Sequence, residues 1–249
     1  MTTAERLNKV AEGLEKTQEL NTELESIING GDTGYKSYYH EFWDSYQQNG
    51  KRTDYRYAFY AGDGSYSPWN DESFKPKYDI KPTIASGMFI KCQITNLKAI
   101  LENLGRIIDF SKSTNVSSLF NSSVTITHLP TMDFSSATDA QLAFAYASKL
   151  HTIDELIVGE KITTITSAFA GCIVLENVVI KGTIKINGFD FKDCKKLFKA
   201  SITSIINALS TTTSGLAVTL SKTAVNNAFT TDEWNTLIAT KSNWTISLV

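Results

Sequence analysis

The sequence has no long apolar run. No stretch of about 18 consecutive apolar residues occurs in its 249 positions, so no helix is expected to span a bilayer. The amino terminus, Met1 to Arg6, lacks the apolar core of a signal peptide, which leads us to expect synthesis in the cytosol without export. Cysteine is scarce. Cys92, Cys172 and Cys194 are an odd number at spacings of 80 and 22, which fits neither a disulfide framework nor a paired CxxC zinc site, so they read as packed thiols. An excess of basic charge is also missing: the net charge is -2, and no Lys/Arg cluster stands out locally. Nucleic acid is therefore excluded as an expected partner, because phosphate neutralisation needs a basic stripe. There is no Gly-rich phosphate loop, GxSxG elbow, HExxH pair or EF-hand loop, so neither enzyme nor cofactor is expected.

The residues that are present fall into four zones. Residues 1–30 form an amphipathic helix, with Leu7, Val10, Leu14, Thr17, Asn21, Leu24 and Ile28 at alternating spacings of three and four. Glu5 with Lys9 and Glu12 with Lys16 add pairs four residues apart, and Gly30, Gly31 and Gly34 end the run. Two readings stay open: a helix folded back on the body, or an oligomerisation segment, trimeric for preference, with Asn21 setting its register.

Residues 31–80 are crowded with rings, and nine of the ten tyrosines lie between Tyr35 and Tyr78. Trp43 and Trp69 with these tyrosines suit a stacking surface for sugars, since such rings offer a rigid apolar face and a polar edge. The alternative is a structural cap over the open end of the neighbouring repeats. Asp63, Ser65, Ser67, Asn70, Asp71 and Glu72 make an oxygen-rich loop whose spacing matches no calcium-binding pattern, and turn chemistry accounts for it.

Residues 81–200 carry an internal repeat. Phe89, Cys92, Ile94 and Leu97 are followed by Phe120, Ser123, Ile126 and Leu129, then Phe144, Ala147, Leu150 and Ile153, then Phe169, Cys172, Leu175 and Val178. The phenylalanines are 31, 24 and 25 residues apart, which implies a leucine-rich-repeat period with an insertion in the first interval and a one-residue deletion between Cys92 and Ile94. A second marker, Ile108-Asp109-Phe110-Ser111 and Met132-Asp133-Phe134-Ser135, keeps the same phase. Phe191, Cys194 and Leu197 fit a fifth copy, yet Asp190 and Phe191 also fit the second marker, so both assignments stand. Each copy would lay its phenylalanine, small residue and aliphatics on those of its neighbour, making a core that no copy could form alone. The expected class is α+β: a short solenoid with an amino-terminal helix, an aromatic cap and an α/β carboxyl cap.

Residues 201–249 make that last cap. Ser201 is expected to cap a helix carrying Ile202, Ile205, Ile206 and Leu209, residues 216–220 form a strand, Thr231 caps a second helix through Trp234, and Trp244 to Leu248 form a closing strand.

The Phe, small residue, aliphatic repeat resembles the BspA-like leucine-rich repeats of bacterial surface proteins and of prophages of gut Firmicutes. Tyr78-Asp79-Ile80-Lys81-Pro82 and Asn243-Trp244-Thr245-Ile246 resemble the flanks of phage-encoded members. The resemblance implies adhesion or host recognition, and it carries no catalytic residues across. It leads us to expect a virion component, held in the bacterial cytoplasm until lysis, that binds a bacterial surface protein or glycan and contacts other tail proteins. Thr127, His128, His151, Thr152, Glu176 and Asn177 would line the binding face, because a solenoid exposes alternate strand residues. A metal or catalytic site shared by His128 and His151 is one further reading, and solvent-facing strand positions the other. The rivals for function are an intracellular protein-interaction module and a carbohydrate-binding module built on the aromatic zone.

Overall fold

The computed structural model describes residues 50–59 and 78–249. The expectations for the helix bearing Leu7, Val10, Leu14, Asn21, Leu24 and Ile28, for Trp43 and Trp69, and for the loop at 63–72 lie outside the described residues. Among the described residues the fold mixes helix and strand, and neither of its two sheets closes into a barrel.

One sheet joins β1 (His128–Leu129), β2 (Met132–Phe134), β3 (Thr152–Val158) and β4 (Asn177–Gly182). Strands β1 and β2 pair with successive parts of β3, and β4 pairs with β3 as well; every pairing is parallel. Parallel neighbours require the chain to return to its starting side between strands, and here the return takes about one sequence repeat. A further column of parallel bridges runs through Asp54, Ile84, Asn115, Asp139 and Thr164. Helix α1 (Leu97–Leu104) occupies the insertion expected in the first interval. Asn96 caps it by accepting from Ala99 N at 3.0 Å, Gly105 ends it at φ 57°, and Leu97 and Leu101 bury its inner face.

The core is a stack of rings. Phe59, Phe89, Phe120, Phe144, Phe169 and Phe191 succeed one another with centroids 4.9, 4.9, 6.1, 5.3 and 4.5 Å apart and nearly parallel planes. Each successive pair adds about 0.5–1.5 kcal/mol beyond its burial. Phe191 therefore belongs to the stack. Its neighbour Asp190 accepts from Lys192 N at 2.9 Å, as Asp109 accepts from Ser111 and Asp133 from Ser135. One segment thus fills both roles open to it in the sequence. Phe59 extends the stack at least one unit before the first copy of the repeat pattern.

At three of the five copies the small residue after the ring has a reason beyond size. Ser123 Oγ donates to Phe89 O at 2.5 Å, Cys172 Sγ to Phe144 O at 3.1 Å and Cys194 Sγ to Phe169 O at 3.8 Å, so the position ties one repeat to the ring-bearing backbone of the previous one. The chain reaches this geometry through left-handed residues two places before and two places after the ring. They are Tyr57, Ser118, Leu142 and Ser167 before it and Lys91, Ser122 and Tyr146 after it, with Gly87 and Gly171 in the matching places. Each such non-glycine position costs about 1–2 kcal/mol, which the packed neighbours must offset. Glycine is needed at two of these sites, because a Cβ on Gly87 would lie 2.5 Å from the Tyr57 ring and one on Gly171 2.8 Å from the Tyr146 ring.

The carboxyl part holds a second parallel sheet, β5 (Asp190–Phe191), β6 (Leu216–Leu220) and β7 (Trp244–Leu248), with helices α2 (Lys199–Ala208), α3 (Lys222–Ala228) and α4 (Thr231–Ala239). Strands β6 and β7 fall where the alternation predicts. Two caps do not. Ser201 sits inside α2, buried, with its hydroxyl donating to Glu176 O and accepting from Val178 N; Phe198 holds the N-cap position with no side-chain bond. Thr230, rather than Thr231, caps α4 in a reciprocal box with Glu233. Helix α3 is unforeseen, since only Ala224 and Val225 of its seven residues are buried and periodicity has little to register.

Candidate functional site

Two polar columns cross four successive chain segments. One contains Thr95, Thr127, His151 and Glu176; the next contains Asn96, His128, Thr152 and Asn177, joined by parallel pairing at each step. The backbone builds them. Thr127 N donates to Thr95 O, His151 N to Thr127 O and Glu176 N to His151 O at 2.6, 2.9 and 3.0 Å, and each segment is anchored by a buried aliphatic just beyond the columns, Leu97, Leu129, Ile153 or Val178. All six residues expected on a binding face are thus half-buried or exposed on neighbouring segments.

The two histidines do not share a site. His128 pairs in register with Thr152, one place beyond His151, and its Nε2 lies 2.7 Å from Asp154 Oδ1. Lys98 Nζ, from α1, lies 2.8 Å from the other oxygen of Asp154. Burial works to raise the Asp154 carboxyl, but the hydrogen bonds from Lys98 and His128 outweigh it and hold the group below the usual carboxylate range. Asp154 in turn raises Lys98. His151 Nδ1 stands 3.6 Å from Glu176 Oε2. Among the described residues no group of three His, Cys, Asp or Glu side chains converges on a point that could hold a metal ion.

The cysteines are fully buried and unpaired. Burial pushes the Cys172 thiol up to about 12 and moves Cys92 and Cys194 in the same direction, so none supplies a thiolate near neutral pH.

Three features are not anticipated by the sequence pattern. Lys98 and Asp154 escape it because their meeting depends on a helix whose place in the repeat is not periodic. A threonine column does carry a signal: Thr53, Thr83, Thr114, Thr138 and Thr163 each stand six residues before a stacked phenylalanine, and each hydroxyl from Thr83 onward donates to the carbonyl of the threonine before it at 2.9–3.3 Å. The expectation that lysines do not cluster is also corrected. Lys192, Lys195, Lys196 and Lys199 fall within eight residues, a concentration hidden by the mildly acidic total.

Compared with known proteins, the chain matches no protein-family model, no curated protein and no solved structure.

Proposed function

We propose that the chain is a short leucine-rich-repeat solenoid of the BspA-like kind that binds rather than catalyses, and that it serves as a phage tail-associated receptor-binding or adhesion protein. The ligand is a bacterial surface protein or glycan. The observation that supports this most is the pair of in-register polar columns, which offers hydroxyl, imidazole, carboxylate and amide groups at a regular pitch on one face. Such a ladder suits a repetitive or extended ligand, since successive segments offer equivalent contacts. The Thr127 hydroxyl donates to Thr95 O at 2.8 Å and His128 lies 2.7 Å from Asp154, so these two side chains have less freedom to lose on binding. In this reading residues 1–30 join three copies and attach them to other tail proteins, and the protein resides in the virion after lysis of the host cell.

Replacing Thr127, His128, His151, Thr152, Glu176 and Asn177 together by alanine tests the reading. Adsorption to cells of gut Firmicutes is expected to be lost while the circular dichroism spectrum is retained. Unchanged adsorption would show that the ligand is held elsewhere. Light scattering on the full chain and on one lacking residues 1–30 tests the assembly: a trimer that becomes a monomer supports it, and a monomer in both removes it.

A further inference from the structure

Among the described residues the main sheet ends at β4, which pairs with β3 on one side and with no strand on the other; β5, the next strand in the chain, pairs with β6 instead. The backbone of the polar columns shows what this end requires. Thr95 O accepts from Thr127 N and from the Thr127 hydroxyl, at 2.6 and 2.8 Å. Thr127 O accepts from His151 N and Thr152 N at 2.9 and 3.2 Å, and His151 O from Glu176 N and Asn177 N, both at 3.0 Å. Each of these carbonyls is held by two donors of the segment that follows. Glu176 O, on the last rung, also has two, but they come from Phe198 N at 2.9 Å and from the hydroxyl of Ser201, inside α2, at 3.0 Å. Ser201 Oγ in turn accepts from Val178 N at 3.0 Å. Three residues on, Ser204 Oγ accepts from Ile180 N at 2.7 Å and donates to Ile180 O at 3.2 Å. The outward backbone groups of β4 at alternate residues, Val178 and Ile180, therefore meet hydroxyls where a parallel neighbour would offer its own N–H and C=O.

We infer that Ser201 and Ser204 are positioning residues of the polar columns: through their hydroxyls α2 takes the place of the strand that a further coil would supply, and it keeps Glu176 and Asn177, the last rung, in line with the rungs before it. Packing alone does not ask for these hydroxyls. Ser201 is 2% exposed and shares α2 with Ile202, Ile205 and Ile206, all fully buried, so an alanine would serve the contact with the core as well. Serine is also the poorer helix former, and a buried hydroxyl is tolerated only where its hydrogen bonds are made. Ser201 makes both, one as donor and one as acceptor. Without it the Val178 N–H would lie unpaired at the edge of a strand, and edges that lack partners are where a sheet opens most readily. The inference rests on the reading of the columns as a binding face, and it deepens that reading by making the carboxyl cap part of the face's geometry. Glu176 stands 3.6 Å from His151, so a shift of the last rung breaks a pairing between segments.

The test joins amide hydrogen exchange on the full chain, resolved residue by residue, to adsorption on cells of gut Firmicutes. Ser201→Ala should speed exchange at Val178 by about tenfold or more, and Ser204→Ala should do the same at Ile180, because each amide loses its acceptor. Thr152, which donates to Thr127 O one rung earlier, should change much less in both variants. Ser201→Cys should recover part of the protection, since a cysteine already donates to a backbone carbonyl at Cys172. Adsorption should fall severalfold in the double variant Ser201→Ala with Ser204→Ala and stay at the parent's level in Lys241→Met, which loosens the carboxyl part without touching the rung. Should the double variant fail to fold, the single variants carry both measurements. Unchanged exchange at Val178 and Ile180, an equal rise at Thr152, or an equal loss of adsorption in Lys241→Met would each overturn the inference. If the parent adsorbs and the serine variants adsorb equally well, the positioning role fails and the adhesion reading stands. If the parent adsorbs to no cell, the adhesion reading fails, while faster exchange confined to Val178 and Ile180 still establishes that α2 holds the last rung.

Discussion

The repeated part, residues 50–59 and 78–198, and the carboxyl part, residues 199–249, solve the same problem of satisfying backbone groups with a different balance of backbone and side chain. In the repeats, neighbouring segments are joined backbone to backbone in the same way at each step: Phe59, Phe89, Phe120 and Phe144 donate from their backbone nitrogens to the carbonyls of Met88, Leu119, Ala143 and Ala168 at 2.7–2.9 Å. In the carboxyl part β6 and β7 still pair through the backbone, but the chain between them is tied down by unique side chains. Lys241 Nζ donates to Asn207 O and Leu209 O, Asn243 Nδ2 to Ser210 O and Thr213 O, and Trp244 Nε1 to Ser210 O. Periodicity thus serves the interior of the molecule and individual chemistry serves its end.

The strongest way to break this comparison is to remove a ring from the stack. Phe144 lies between Phe120 and Phe169 and also faces Phe134 at 5.8 Å, so Phe144→Ala should cost about 3–5 kcal/mol in urea unfolding. A loss under about 1 kcal/mol would show that the rings do not act as one packed stack.

The carboxyl part is probed by Lys241→Met, which keeps the volume but leaves the Asn207 and Leu209 carbonyls without their donor. A loss of about 1–3 kcal/mol is expected. Calorimetry should show it in the same transition as the repeats if the end and the interior unfold together, and in a separate earlier one if they do not.

A smaller effect is expected from Asp154→Asn, which unties Lys98 from His128 across three segments. The folded carboxyl lies below its ordinary value, so its contribution is fully present above about pH 4 and disappears as pH falls through the folded value. The variant and the parent should therefore differ at neutral pH and converge in acid, as measured by unfolding at a series of pH values. The smallest effect belongs to the thiols. With all three cysteines buried and raised, iodoacetamide should label none of them in the folded chain and all of them in denaturant. Labelling of Cys194 alone under native conditions would identify the end of the stack as the part that opens first.

The same division governs how much of the molecule is legible in its residues. The rings, small residues and aliphatics recur because stacking demands them at every step, so Phe89 to Val178 display the pattern directly. The polar columns can be located because they fall between aliphatics of known direction. The threonine column is equally regular, but its members are largely exposed, and an exposed threonine is at home in almost any surface setting. At the carboxyl end each solution occurs once. Ser201 has the residue type of a cap, yet its hydroxyl is used across the chain on Glu176 and Val178, which local spacing does not encode. Lys195, Lys196 and Lys199 lie close together in sequence, but Asn227 and Ala228, which border the same surface depression, belong to α3, a helix with almost no periodic trace.

Helix α1 carries a further consequence. Between Ile84 and Asn115 the chain spends 31 residues, and between Asn115 and Asp139 it spends 24, yet both pairs meet as parallel bridges in one column. The rungs are fixed and the connectors between them are elastic. Diversity in such a chain can accumulate in connector length without disturbing the frame, and the α1 position is where a foreign peptide could be spliced in and displayed at a known height beside the polar columns.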